Sequence, residues 1–292
     1  MCHTLNFGGD NINIGFIGAG KVGFSLGKYL SNNKINISGY YSRNVESTKE
    51  AAKFTNSKCI VSINDLIKES DVIFITTPDS VIGSIWENID KLSIKNKIIC
   101  HCSGSLSSKI FSNIEDHSAY GYSIHPMFAF SDKYKSHEKL KKAFITIEGS
   151  SAQMKKIISL IESLGNKYKV ISDYDKGRYH LASTIVSNHV LGLISEGINQ
   201  LKQCGFEEEE AKEALFPLIK NNINNMFKNC DKNSLTGPVE RADYITLSKH
   251  LNCLNEDDKE LYKALSRKLI NIAEEKNMNR DYKKIKVMMG EE

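Results

Sequence analysis

Gly18-Ala19-Gly20-Lys21-Val22-Gly23 sits between an apolar run, Ile12 to Ile17, and a stretch from Leu26 to Leu30 that continues with helical spacing. The pattern G-x-G-x-x-G is weak alone; it gains meaning when it follows a strand and opens a helix. Both flanks are present here. Gly18 permits the tight turn, Gly20 lets a backbone approach a pyrophosphate, and Gly23 lets helix and strand pack closely. Free N–H groups at the helix start then face an anion. The turn reads as a dinucleotide site, with Gly18, Ala19, Gly20, Lys21, Val22 and Gly23 as candidate contacts.

The rest of the first half repeats that alternation. Strands are expected at 11–17, 35–41, 59–61, 71–76, 97–101, 123–125, 144–147 and 167–172. Helices are expected at 22–31, 47–54, 63–69, 81–89 and 153–164. Continuous apolar strands such as Val72-Ile73-Phe74-Ile75 fit a sheet covered on both faces. Strands alternating with helices imply an α/β doubly wound parallel sheet, a Rossmann arrangement. After Ser172 only helical periodicity remains: 176–203 as one long helix, 207–228, 241–251 and 257–275. The chain of 292 residues therefore reads as two domains, a dinucleotide-binding domain over 1–172 and an all-helical substrate or dimerisation domain over 173–292.

The end of the second strand selects the dinucleotide. NAD sites place an acid there, and NADP sites replace it. Tyr41-Ser42-Arg43-Asn44 carries no acid before Glu46. Arg43 can grip a 2′-phosphate bidentately and Ser42 can donate to it. NADP is the expected cofactor. Ligands sit beyond the carboxyl ends of parallel strands, so Thr77 and Pro78 are expected to line it. Asp79 reads equally well as a helix cap.

Composition narrows the class. A net charge of +4 with lysines spread along the chain does not indicate a nucleic-acid surface. Seven cysteines without a CxxC pair suit free thiols in a reducing compartment. In Cys100-His101-Cys102 the histidine points away from the cysteines on a strand, so no metal site is expected. Met1 to Asp10 lacks a signal-peptide pattern and no apolar run is long enough to span a membrane, so a cytoplasmic protein is expected.

Four segments can carry chemistry. Ser103, after the fifth strand, can donate to a substrate oxygen, or cap a turn. His125, fixed before Pro126, suits general acid or base work on a carbonyl or imine, or is a hydrogen-bonded structural histidine. His180, Thr184 and Asn188, spaced i, i+4, i+8, form a polar stripe on an otherwise apolar helix, facing either a cleft or another helix. Thr236-Gly237-Pro238, followed by Arg241 and Asp243, can present N–H groups and a cation to a substrate carboxylate, or simply connect helices.

These residues together resemble a known family. Thr77-Pro78-Asp79, His101-Cys102-Ser103-Gly104, Ser123-Ile124-His125-Pro126, Ser187-Asn188 and Thr236-Gly237-Pro238-Val239-Glu240-Arg241-Ala242-Asp243 are similar to a bacterial two-domain family. That family has a Rossmann-like N-domain and a C-terminal domain of unknown function, and is often labelled deazaflavin-dependent NADP oxidoreductase-like. The likeness runs over roughly residues 12–275. It extends to the wider group with a 6-phosphogluconate-dehydrogenase-type helical C-domain, including pyrroline-5-carboxylate reductase, ketopantoate reductase and prephenate dehydrogenase. The resemblance implies a homodimer built through the helical domains. His125-Pro126-Met127 looks like the His-Pro motif of prephenate dehydrogenases, in which the histidine contacts the substrate hydroxyl, and Ser103 takes the place of their serine. Thr236-Gly237-Pro238 resembles the Ser-Pro-Gly loop of pyrroline-5-carboxylate reductase. The chain departs from hydroxyacid dehydrogenases in having Thr184 where their lysine stands, four residues before Asn188, and it lacks the arginine set expected for prephenate.

The expected function is an NADP(H)-dependent oxidoreductase acting on a small, carboxylated carbonyl, imine or alcohol. His125, Ser103, Asn188 and His180 are the candidate catalytic residues, and Thr236 and Arg241 the candidate substrate contacts. Two alternatives stand beside it: a non-catalytic NADP-binding sensor, and a prephenate-like dehydrogenase preferring NAD.

Overall fold

The computed structural model describes residues 12–229 and 231–291. The expectations for Met1 to Asp10, and for Asn11 as a strand start, lie outside the described residues. The chain divides into two compact units, one ending at His189 and the other beginning at Val190.

The first unit holds one eight-stranded sheet in the order β3-β2-β1-β4-β5-β6-β7-β8. Its strands are β1 (Asn13–Ile17), β2 (Asn36–Tyr41), β3 (Lys58–Cys59), β4 (Val72–Ile75), β5 (Ile98–His101), β6 (Tyr120–Met127), β7 (Phe144–Gly149) and β8 (Tyr168–Val170). Its helices are α1 (Lys21–Asn32), α2 (Val45–Thr55), α3 (Ile63–Lys68), α4 (Asp79–Asn88), α5 (Ser136–Lys139), α6 (Met154–Ser163) and α7 (Lys176–Thr184). The six strands from β3 to β6 are parallel. The all-parallel expectation needs one correction: β7 runs antiparallel to β6. The connection between them contains the short α5 and a 3-10 turn, Leu140–Lys142.

Alternation along the strands feeds two cores. Phe16, Tyr40, Phe74, Cys100 and Tyr122 pack on one face, with Phe16 stacked on Tyr40 and Phe74 at 5.0 and 5.5 Å. Ile17, Ile73, Ile75, Ile99 and Phe111 pack on the other. Cys100 and His101 are thereby sent to opposite faces, as the strand period requires. Among the described residues no three His, Cys, Asp or Glu side chains gather around a cation-sized space.

The first unit reaches past the 172/173 division because α7 is anchored on the sheet through Lys176 and Tyr179. The expected single helix 176–203 is interrupted. A π-helical turn, Ile185–His189, separates α7 from α8 (Val190–Gln203). The second unit continues with α9 (Glu208–Asn229), α10 (Asp231–Ser234), α11 (Tyr244–Asn252), α12 (Glu256–Lys276) and α13 (Lys283–Met288). Its core gathers Val239, Leu247, Ile270, Ala273, Tyr282 and Ile285. α11 starts later than Arg241, because Ala242 has φ +56° and Asp243 caps the helix by accepting from the Thr246 N–H at 3.1 Å.

Candidate functional site

The glycine turn forms one wall of a cavity of about 370 Å³ at the carboxyl ends of β1, β2 and β4. Gly18 has φ +112°, a left-handed conformation open to glycine. Its N–H donates to the Tyr41 carbonyl at 2.8 Å, and its own carbonyl accepts from the Thr76 hydroxyl at 2.9 Å. A Cβ on Gly23 would stand 2.3 Å from Thr76 Oγ1 and 2.4 Å from the Gly18 carbonyl oxygen. A Cβ on Gly20 would meet nothing within 4 Å, since Gly20 faces the open side of the turn. Lys21, Val22 and Gly23 open α1, whose first turn has no acid and no side-chain cap, so its N–H groups are left for a ligand.

Ala19, Ser42, Arg43, Thr77 and Pro78 share this cavity. Asn44, just past Arg43, caps α2 through its side chain at 3.1 Å, which terminates the turn after β2 and leaves Arg43 exposed. Thr77 Oγ1 is buried without a hydrogen-bond partner among the described residues. A buried hydroxyl of that kind calls for a ligand or water. The bare Gly20, the free helix start, the cation in place of an acid, and this orphan hydroxyl all fit a phosphorylated dinucleotide.

A second, polar cluster lies at the ends of β5 and β6. It adjoins the cavity through Pro78 and Asp79, which are consecutive. Asp79 accepts from the Ser103 hydroxyl at 2.6 Å and from the Ser105 hydroxyl at 3.1 Å. Ser103 Oγ also accepts from the N–H groups of Ser105 and Leu106 at 3.1 and 3.0 Å. The hydroxyl expected to face a substrate thus organises the turn, with its proton committed to Asp79. His101 is buried; its Nδ1 accepts from the Ser103 N–H at 3.1 Å, which leaves Nε2–H to donate to the Ser107 carbonyl at 3.2 Å.

β6 extends past β5, whose pairing ends at His101 opposite Ser123. Residues beyond Ser123 have no partner on that side, so Pro126 removes no ladder bond there. His125 occupies this overhang, half-buried, with Nδ1 2.7 Å from the Tyr179 hydroxyl. A Cβ on Gly104 would come within 3.1 Å of His125 Nε2 and 2.9 Å of His180 Cδ2. The missing side chain at 104 is what leaves room at the Nε2 edge. Lys176 is almost fully buried and donates to the Ser103 carbonyl at 2.9 Å and the Ser123 hydroxyl at 2.7 Å.

Burial first, then the Lys176 ammonium and His180, push His125 down to about 4. Burial does the same to His101, also to about 4, and lowers Lys176 to about 8. A histidine depressed in the fold stays neutral where the unfolded histidine, at about 6.5, takes a proton. The unfolded state binds more protons in that window, so stability rises with pH across it. Thermal melts are expected to lose midpoint progressively as pH falls from about 6.5 towards the folded values of about 4, and to lose less in His125→Gln.

The other sequence-derived candidates are placed differently. His180 joins the cluster beside Gly104. Asn188 lies in the π turn with Oδ1 accepting from the Ser187 hydroxyl at 3.0 Å. The π turn breaks the α-helical i, i+4, i+8 register between Thr184 and Asn188, so the single polar stripe is not maintained. Thr236 and Arg241 belong to the second unit; there Glu240 accepts from Asn277 at 2.8 Å and Arg280 at 3.0 Å, and Asp243 serves as a cap. Sequence reasoning missed Lys176 and Tyr179. Their one signal was position: both open the first helix after the sheet, on the same turn as His180.

Residues 13–103 match the family described as NADP oxidoreductase coenzyme F420-dependent, and residues 143–269 match a domain of unknown function, DUF2520. The two matches lie one after the other in the chain. Its cofactor class is accordingly NADP, and its general role that of an oxidoreductase. Among solved structures, protein TM1727 from Thermotoga maritima is 25% identical with a TM-score of 0.73, covering 90% of this chain and 99% of that one. Protein BF3122 from Bacteroides fragilis is 22% identical, with a TM-score of 0.70 and coverage of 89% and 98%. A Plasmodium falciparum pyrroline carboxylate reductase with NADP bound has the same fold at 18% identity, TM-score 0.60 and coverage of 92% and 99%. No curated protein sequence matches the chain.

Proposed function

We infer that this protein transfers hydride between NADP(H) and a small carbonyl, imine or alcohol, with His125 as the acid/base group. The observation that supports this most strongly is the His125–Tyr179 pair at 2.7 Å, at the overhanging end of β6 against the Ser103-Gly104 turn, which Asp79 holds next in the chain to Pro78 of the cavity wall. NADPH, when bound, supplies the hydride. Gly18, Ala19, Gly20 and the α1 turn cradle its pyrophosphate, while Ser42 and Arg43 hold its 2′-phosphate. Thr77 and Pro78 face its ribose. The Tyr179 hydroxyl donates to His125 Nδ1, leaving the proton at Nε2, where it hydrogen-bonds the reacting oxygen or nitrogen and passes to it as the hydride arrives, the ring then regaining a proton from solvent. Ser103 and Asp79 hold the turn that shapes this edge, and His180 lines it. The test is NADPH oxidation against a panel of 2-oxo acids and cyclic imines. Binding without oxidation across the panel would favour a nucleotide sensor over an enzyme.

Arg43→Ala is expected to weaken NADP binding ~10- to 100-fold, the size of a charge-assisted phosphate contact, and to leave NAD binding unchanged. Calorimetry with both nucleotides reads this directly. Equal loss for NAD and NADP, or intact NADP binding, would instead support an NAD-preferring dehydrogenase.

A homodimer belongs to the same reading. Leu181, Val186, Leu191, Phe216 and Phe227 are 53%, 71%, 66%, 63% and 85% exposed on their helices, more apolar surface than a solitary soluble unit ordinarily leaves to water. Sedimentation at micromolar concentration is expected to give twice the chain mass. A cytoplasmic location fits the free thiols Cys59, Cys100, Cys102, Cys204 and Cys253. No helix among the described residues is long and apolar enough to cross a membrane.

A further inference from the structure

Lys176 is the group in the site that packing explains least. The residue is 2% exposed, yet among the described residues it makes no ion pair at bonding distance. Both its partners are neutral, the Ser103 carbonyl and the Ser123 hydroxyl. Removing a charge from water is costly, and an apolar side chain of similar size would serve stability better. The local consequences of the charge are specific. Ser123 and His125 are two residues apart on β6, so their side chains leave the same face of the strand. Ser103 precedes Gly104, whose bare Cα abuts the rings of His125 and His180. One ammonium therefore ties together the two backbone segments that define the surroundings of His125. The same helix turn carries Tyr179, whose ring centre is 5.9 Å from Lys176 Nζ and whose hydroxyl meets His125.

We propose that Lys176 is a positioning residue of this site: its buried ammonium clamps the turn after β5 to β6 and excludes a second positive charge from His125, so that His125 meets the substrate as a neutral imidazole hydrogen-bonded to Tyr179. This deepens the assignment of His125 as the acid/base group and rests on it. The titratable groups around His125 come from four elements: Lys176, Tyr179 and His180 on α7, Asp79 on α4, His101 on β5, and Glu148 on β7 acting on Lys176. Glu148 is occupied by the Ser108 N–H and hydroxyl, both at 2.7 Å, and Asp79 by Ser103 and Ser105. Asp79 favours a proton on His125, while burial, Lys176 and His180 oppose it and prevail.

Nitrogen-15 NMR titration of histidine-labelled full-length protein tests this without any turnover, with His125→Gln assigning the resonance. In the wild type His125 is expected to stay neutral down to pH ~5, well below an ordinary histidine. Its shifts are expected to show a second, smaller inflection near about 8, where Lys176 loses its charge. Lys176→Met is expected to raise the His125 midpoint by ~0.5–1 pH unit, burial remaining as the larger cause of its depression, and Lys176→Arg to leave it low. A wild-type His125 titrating at the ordinary value overturns the proposal, as does absence of the second inflection, whether or not the variants fold. A folded Lys176→Met with an unchanged midpoint overturns it too. If the substrate panel yields no turnover, the assignment of function fails separately, and the titration still decides the role of Lys176.

Discussion

Gly23→Ala is expected to abolish useful NADPH binding, with a loss of ~100-fold or more, and to lower thermal stability as well. The added Cβ would fall 2.4 Å from the Gly18 carbonyl and 2.3 Å from Thr76 Oγ1. Neither atom can swing aside cheaply. The carbonyl belongs to the turn itself, and the Thr76 hydroxyl is bonded to it at 2.9 Å. Relief requires α1 to move off the sheet, and overpacking of this kind costs ~1–3 kcal/mol before any ligand is considered. The same displacement takes the helix N–H groups away from the phosphates, whose recognition depends on their position. Gly20→Ala supplies the contrast. Its Cβ meets nothing within 4 Å, so the free protein should melt like the wild type, and any loss of affinity there measures crowding against the ligand. Melting curves with and without NADPH, on both variants, check the pair. A Gly23→Ala protein that binds NADPH normally would show that the turn is not the cofactor cradle.

His125→Asn is expected to reduce turnover by ~10²- to 10⁴-fold, the usual contribution of a positioned acid or base, while leaving NADPH affinity little changed. The separation of effects follows from location. The cofactor cavity is built from the ends of β1, β2 and β4, whereas His125 stands on the overhang of β6. Steady-state rates with the best substrate of the panel, set beside calorimetric NADPH binding, give both numbers. Full activity in the variant would transfer the proton step to another group. Tyr179, left without its 2.7 Å partner, would then be the first to test.

Several features of the fold and site are legible in the amino-acid sequence alone. The turn at Gly18 was legible because glycine is required by a backbone angle and by a close helix–strand approach, and both demands are local in the chain. The parallel strands were legible because Val72 to Ile75 is apolar at every position, the mark of a strand covered on both faces. The reversal at β7 was not, since strand direction is set by how the connection packs across the sheet and leaves no local pattern in β7 itself. The π turn at Ile185–His189 was not, since it preserves the apolar character of the segment while shifting its register. Ser103 was singled out by position, yet its hydroxyl is directed by Asp79, twenty-four residues earlier in the chain.

What the amino-acid sequence by itself determined is the cofactor half: a glycine turn between strand and helix, an arginine in place of an acid after the second strand, and NADP as the cofactor those residues suit. These follow from short-range rules, in which each residue acts within its own turn. What only the tertiary structure decided is the polar cluster around His125. Asp79, Ser103, His125 and the α7 pair Lys176 and Tyr179 lie far apart in the chain; Asp79 meets Ser103 across the sheet ends, and Lys176 and Tyr179 join them because α7 folds back onto the ends of β5 and β6. A lysine in a sequence looks like any solvated surface charge; its burial, and hence its hold over a neighbouring histidine, exists only once the sheet and helix have closed around it.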